Sequence, residues 1–156
     1  MIEKSIDASV LLSIYEATVK IIGKNVPFVQ KAGLSHQQWI ILLHLAKDPN
    51  IPYLMRRQHY KPMMASELAE SMGVSRANIT NLLSVLMDKS LIRQIEDKED
   101  RRIKRLVLTA KGENLIKSMQ ADRVESNKTY FVGLSSEEKE ILLMTLQKIT
   151  DNIIND

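Results

Sequence analysis

Ala65-Ser66-Glu67-Leu68-Ala69-Glu70-Ser71-Met72, then Gly73-Val74, then Ser75-Arg76-Ala77-Asn78-Ile79-Thr80-Asn81-Leu82-Leu83-Ser84 is the stretch from which the rest of the chain is best read. Gly73 supplies the left-handed residue that ends a short helix, and Ser75 is a natural N-cap for a second helix running to about Lys89. This spacing predicts a helix-turn-helix. At about 100° per residue, Ile79, Leu82, Leu83 and Leu86 share one face and must point to the core. The opposite face then carries Ala77, Thr80, Asn81 and Ser84, with Ser75, Arg76 and Asn78 at its start.

A merely solvated helix face usually holds Lys and Glu, whereas Ser75 to Met87 carries Arg76 as its single charge. Small and amide-bearing residues permit close approach to base edges in a major groove; an Asn can bond adenine bidentately, and Ala or Thr can touch a thymine methyl. After Leu91 the apolar period changes to two. Ile92 to Ile95 and Ile103 to Leu108 are expected strands around the polar run Glu96-Asp97-Lys98-Glu99-Asp100-Arg101-Arg102. Arg101, Arg102, Lys104, Arg105 and Lys111 make this hairpin strongly basic, and it reads as a wing able to reach the phosphate backbone and the minor groove. Asp100 is placed to hold an Arg fork by a bidentate pair.

On the N-terminal side, Ile6, Val10, Ile14, Ala17 and Ile21 form a helical stripe from about Ser5 to about Asn25, and Pro27 is expected to close that element. Leu34-Ser35 followed by Gln38-Trp39 fits a capping box with a hydrophobic staple, opening a buried helix to about Lys47. Residues 48–62 hold Pro49, Pro52 and Pro62 without a helical stripe and read as a loop insertion; its Arg56, Arg57 and Lys61 are candidates for contacts to a nucleic-acid backbone. On the C-terminal side, Thr109 starts a helix to about Tyr130. Leu134-Ser135-Ser136-Glu137-Glu138 then caps a terminal helix striped by Leu142, Leu143, Leu146, Ile149 and Ile153. Apolar stripes at both ends of the chain must bury against something, and a homodimer of interdigitating terminal helices does so economically.

Composition removes several function classes. The 156 residues include no Cys, which excludes disulfides, thiolate metal sites and thiol redox sensing, and five Gly that form no phosphate-cradling loop or nucleophile elbow. His36, His44 and His59 show no ligand spacing, so neither a metal, a cofactor nor an enzymatic activity is expected. The longest apolar run, Trp39 to Leu43, is far short of a membrane span, and the N-terminus lacks the pattern of a secretory signal; a cytoplasmic protein without membrane contact is expected.

Gly33-Leu34-Ser35, Gln38-Trp39, Ser66-Glu67-Leu68-Ala69, Gly73-Val74-Ser75-Arg76, Asp88-Lys89-Ser90-Leu91-Ile92, Asp100-Arg101-Arg102 and Leu108-Thr109-Ala110-Lys111-Gly112 occur in this order. The sequence from residue 33 to residue 119 thereby resembles the MarR family of bacterial regulators, apart from the insertion. The resemblance implies a winged-helix homodimer, usually a repressor, that binds palindromic promoter DNA and is released by a small aromatic or phenolic effector. It implies that Ser75 to Lys89 is the recognition helix, Arg102 or Arg101 the minor-groove residue and Asp100 its organiser. It also implies an effector cleft near Trp39, Leu43 and Tyr15. Departures are Asn81 and Val85 where relatives often carry basic residues, Ser90 for the usual Gly, and Met64 where a capping Ser or Thr is common.

The expected fold is mainly α with a small β-hairpin wing: a winged helix-turn-helix over 35–109, flanked by dimerisation helices within 1–34 and 110–156. The rival reading is a winged-helix adaptor that binds protein and not DNA. It calls for an apolar exposed patch on the second helix, where Ala77, Thr80, Asn81 and Ser84 stand instead.

Overall fold

The computed structural model describes residues 1–24 and 26–156. Among these, ten elements succeed one another: α1 (Ile6–Gly23), α2 (Pro27–Lys31), α3 (His36–Leu45), α4 (Pro52–Arg56), α5 (Ala65–Met72), α6 (Arg76–Asp88), β1 (Ile92–Glu96), β2 (Lys104–Leu108), α7 (Ala110–Tyr130) and α8 (Ser136–Ile154). Side-chain caps set most helix starts. The Ser35 hydroxyl accepts from the Gln38 N–H at 3.2 Å while the Gln38 side chain accepts from the Ser35 N–H at 2.9 Å, which satisfies two donors that the first turn leaves free. Ser75, Thr109 and Ser135 cap α6, α7 and α8 in the same sense. At α5 the capping position is Met64, and only the return half of the box forms, with Glu67 accepting from the Met64 N–H at 2.8 Å.

Two segments differ from expectation. Pro27 opens α2 instead of closing α1, because a proline at a first helical position gives up an N–H that has no partner there anyway. The expected end of α1, Asn25, lies outside the described residues. Within 48–62 the chain forms the short helix α4, again opened by a proline, Pro52. Elsewhere the boundaries move by a residue or so: β1 reaches Glu96 and β2 begins at Lys104.

The core lies inside the winged helix. Ile41 and Leu42 of α3, Leu68 of α5, Ile79 and Leu86 of α6 and Leu106 of β2 are essentially inaccessible and converge on one cluster. Leu83 joins them, while Leu82 is half-buried. Gly73, at φ 63°, makes the turn between α5 and α6 in the left-handed region that glycine enters without a Cβ penalty. Ser90, at φ 58°, takes the same conformation after α6. The hairpin is antiparallel with Ile92 opposite Leu108 and Glu96 opposite Lys104, and on its outer edge the Leu106 N–H donates to the Met63 carbonyl at 2.8 Å.

α7 leaves this body at Gly112. A Cβ there would lie 2.2 Å from the Leu91 carbonyl oxygen, so the helix and the start of the wing meet backbone to backbone. Further along, Arg123 of α7 pairs with the buried carboxylate of Asp48, tying α7 to the exit of α3. Burial works against the Asp48 charge. The Arg123 guanidinium and the backbone and side-chain amides of Asn50 outweigh it and hold the carboxyl below its ordinary value. His44, also buried, donates from Nδ1 to the Ile40 carbonyl at 2.8 Å and therefore accepts at Nε2 from the Ser71 hydroxyl at 2.7 Å. Neither α1 nor α8 contains a buried residue.

Candidate nucleic-acid interface

The core face of α6 fixes the direction of the opposite one. Ala77, Thr80, Asn81 and Ser84 are all exposed, as are Ser75 and Arg76, and Asn78 is half-buried at the edge. Local hydrogen bonds orient two hydroxyls: Ser75 accepts from the Asn78 N–H at 3.1 Å, and Thr80 donates to the Arg76 carbonyl at 2.8 Å. The first leaves the Ser75 hydroxyl proton free to donate outward. The second turns Thr80 into an acceptor with a methyl group beside it. Asn81 has no side-chain hydrogen bond among the described residues, so both ends of its amide are free.

The wing is organised by two aspartates. Asp97, nearly inaccessible, accepts through Oδ1 from the N–H groups of Glu99 and Asp100 at 2.8 and 3.2 Å, and pairs through Oδ2 with Arg105. Arg105 and the two backbone N–H groups hold the Asp97 carboxyl far below the carboxylate range. Arg105 in turn donates to the Pro62 carbonyl at 2.8 Å, stapling the wing to the chain before α5. Arg105 is therefore a structural residue, which corrects its expected place among the outward basic residues of the wing. Lys111 is also occupied, donating to the Lys89 carbonyl at 2.8 Å.

Asp100 forms the fork expected of it. Its Oδ1 accepts from the Arg102 backbone N–H and from Nε, each at 3.0 Å, and its Oδ2 accepts from a terminal nitrogen at 2.8 Å. These bonds lower the Asp100 pKa and raise that of Arg102. The Arg102 side chain is 91% exposed despite the pairing, so a charged, pre-oriented guanidinium stands clear of the body. Arg101 is exposed beside it, and Lys104 pairs across the hairpin with Glu96 at 3.0 Å.

The three basic residues of the 48–62 segment separate. Arg57 turns inward, 10% exposed, onto Glu67 at 2.9 Å; Lys61 meets Glu99 of the wing at 2.5 Å; Arg56 is exposed. Of the expected effector residues, Trp39 and Leu43 line a small cavity of about 200 Å³ together with Phe28, Arg123 and Tyr130, and the Phe28 and Trp39 rings meet edge to face at 5.6 Å. Tyr15 is not part of that wall; it is exposed on α1. Sequence reasoning misses Asp97 and Arg105 as organisers. Arg105 shares strand parity with Ile103 and Val107, and that parity is the available signal.

The family model described as MarR family matches residues 32–103. The solved transcriptional regulator PA3341 is 28% identical over 96% of this chain and 98% of its own, with a TM-score of 0.72. Over residues 32–103 the chain is thus similar to the MarR family. MarR proteins are transcriptional regulators that bind DNA as dimers, and not enzymes. The fold extends to more distant members. A MarR/EmrR family regulator from Acinetobacter sp. ADP1 is 19% identical, covering 98% of this chain and all of its own, with a TM-score of 0.78. BpsR of Bordetella bronchiseptica, whose DNA binding is described as regulated by 6-hydroxynicotinic acid, is 18% identical over 97% and 96% of the two chains, with a TM-score of 0.70. No helix among the described residues is long and apolar enough to cross a membrane.

Proposed function

We propose that this chain is a ligand-responsive repressor that binds palindromic promoter DNA as a homodimer, with α6 in the major groove and Arg102 in the adjacent minor groove. The observation that carries this reading is the pairing of a nearly charge-free, exposed α6 face with a wing arginine fixed by Asp100. The first suits base edges, and the second suits the negative potential of a narrow minor groove. Phosphate contacts fall to Arg76, Arg101, Lys104 and Arg56, all exposed. Arg57 and Lys61 serve instead to hold the 48–62 segment against α5 and the wing.

The dimer rests on α1 and α8. A groove of about 700 Å³ runs between them, floored by Ile14, Ala17, Phe131, Leu142 and Leu146. A second copy is the occupant that completes both striped helices at once. The Trp39 cavity is the proposed effector site. Its aromatic walls suit a small aromatic or phenolic compound, and Arg123 offers a cation to an acidic group on it. Such an effector acts only through its differential affinity for the DNA-bound and free arrangements. BpsR, a protein of the same fold, supports a small-molecule control of this kind.

The test is gel-filtration mass together with fluorescence-anisotropy binding to duplex DNA across a salt series. A dimer whose affinity falls linearly on a log–log salt plot is expected, since each neutralised phosphate releases counterion. A dimer that ignores duplex DNA at low salt, after refolding to strip any ligand, would overturn the reading.

A further inference from the structure

Among the described residues of α6, Val85 is the large apolar side chain left exposed, at 39%. Helix formation does not account for it, because a β-branched residue lowers helix propensity where Lys, Glu or Ala would raise it. Protein docking does not either. Of the four residues one turn away, Asn81, Asp88 and Lys89 are polar and Leu82 is half-buried, which leaves no patch wide enough for a partner surface. What Val85 does share is the face of Asn81. The two positions lie about 40° apart around the helix and about 6 Å apart along it.

That face has a chemical bias. From Ala77 to Met87 no side chain is charged, so nothing there pairs with guanine as Arg or Lys does, or accepts from cytosine as Asp or Glu does. Thr80 commits its hydroxyl proton to the Arg76 carbonyl at 2.8 Å. What remains is the Asn81 amide, which fits adenine, and the methyl groups of Ala77, Thr80 and Val85, which fit the thymine C5-methyl. Val85 is also stiff. Its χ1 has essentially one well in a helix, so its two methyls stand in place and lose little freedom on contact. Asp88, exposed one turn beyond Ser84, is repelled by phosphates and ends the readable face there.

We infer that Val85 is a specificity-determining residue that packs on a thymine methyl, close to the adenine bonded by Asn81, so that α6 selects A·T pairs at both positions. The inference rests on the proposed entry of α6 into the major groove. A separation of about 6 Å along the helix puts that thymine within about two base pairs of the adenine, at about 3.4 Å per pair. A G·C pair in its place would turn guanine O6 or cytosine N4 against methyls, leaving a polar edge with neither water nor a partner.

The experiment is binding-site selection by the full-length protein from a randomised duplex library, followed by replacement of each thymine of the selected half-site, one at a time, by deoxyuridine. Deoxyuridine pairs as thymine does but lacks the C5-methyl. One such replacement should weaken binding about fourfold, the effect of burying one methyl. Val85→Ala should abolish that penalty at that position alone, and its urea midpoint should stay level or rise, since Ala favours the helix. Asn81→Ala should lose the adenine preference and keep the penalty at the Val85 position. Guanine or cytosine selected at these positions, no penalty at any thymine, or a penalty that survives unchanged in Val85→Ala would each overturn the assignment while DNA binding stood. A library from which no duplex is enriched would overturn it together with the proposed function.

Discussion

Leu86 and Leu142 are both leucines on striped helices, yet Leu86 of α6 is wholly inaccessible and Leu142 of α8 is 42% exposed. The same contrast holds between the regions around them. In the winged helix, apolar side chains from α3, α5, α6 and the hairpin close on one another, and Met55, Tyr60 and Val85 are the large apolar side chains left exposed among its described residues. In α1 and α8, Val10, Leu11, Leu12, Leu142, Leu143 and Met144 remain in contact with solvent in the single chain. Stripes of this extent are not left bare on a stable surface. The winged helix is thus closed within one chain, while the terminal helices leave their apolar stripes uncovered, and the proposed dimer would divide specificity and assembly between these two parts.

The sharpest way to break the contrast is to charge the open half. Ile14→Glu with Leu142→Glu should convert the dimer to a monomer and weaken operator binding about 100-fold to 10,000-fold, the usual gain of linking two half-sites, with little change in the near-ultraviolet signal of Trp39. Sedimentation and anisotropy measure both; a dimer that persists would place the interface elsewhere. Charging is unnecessary in the closed half. Leu86→Ala should cost about 2–5 kcal/mol of unfolding free energy by leaving a cavity, read from urea denaturation. The matching Leu142→Ala should cost far less in the monomeric background.

Within the proposed interface the two DNA-facing parts should also separate. Asn81→Ala should relax preference at one base pair, worth about 1–3 kcal/mol of discrimination, while leaving the salt slope intact. Arg102→Ala should weaken binding to all sequences alike and reduce that slope by about one. Binding-site selection on both variants distinguishes them, and an Arg102→Ala protein with unaltered affinity and salt slope would count against a minor-groove role.

The smallest effect concerns pH. Burial pushes the His44 pKa below its ordinary value, the Ile40 carbonyl working the other way, and burial lowers His36 as well. In the unfolded chain these rings take up protons near pH 6.5, whereas in the fold they stay neutral to lower pH. More protons on the unfolded state means stability falls as pH drops from about 7 to about 5. The urea midpoint should track that slope, and His44→Gln should flatten part of it.

Much of this arrangement is legible in the sequence because it depends on local rules. Ser35, Ser75, Thr109 and Ser135 each precede a helix by one residue, and Gly73 sits where only a left-handed turn makes sense. The Asp100 fork is legible too, since a carboxylate two residues before an arginine in a tight turn has few other partners. The hidden part depends on tertiary partners. Pro27 and Pro52 each can end one element or begin another, and only the packing of the downstream residues decides. Arg105 looks like any wing cation until Asp97 and the Pro62 carbonyl are seen to claim it. Arg57 is likewise indistinguishable from Arg56 in sequence, and Glu67 separates them.

The contact at Gly112 has a mechanical side. Because no side chain cushions it, the joint between wing and α7 is a pivot of nearly fixed position, and the 21 residues of α7 form a lever about 30 Å long. A tilt of about 10° at the pivot displaces the far end by about 5 Å, more than the separation of about 3.4 Å between successive base pairs. In the proposed dimer, with the far ends joined, such a tilt would be transferred to the two copies of α6. Reach along the double helix would then be set by that angle together with the Asp48–Arg123 tie that restrains it.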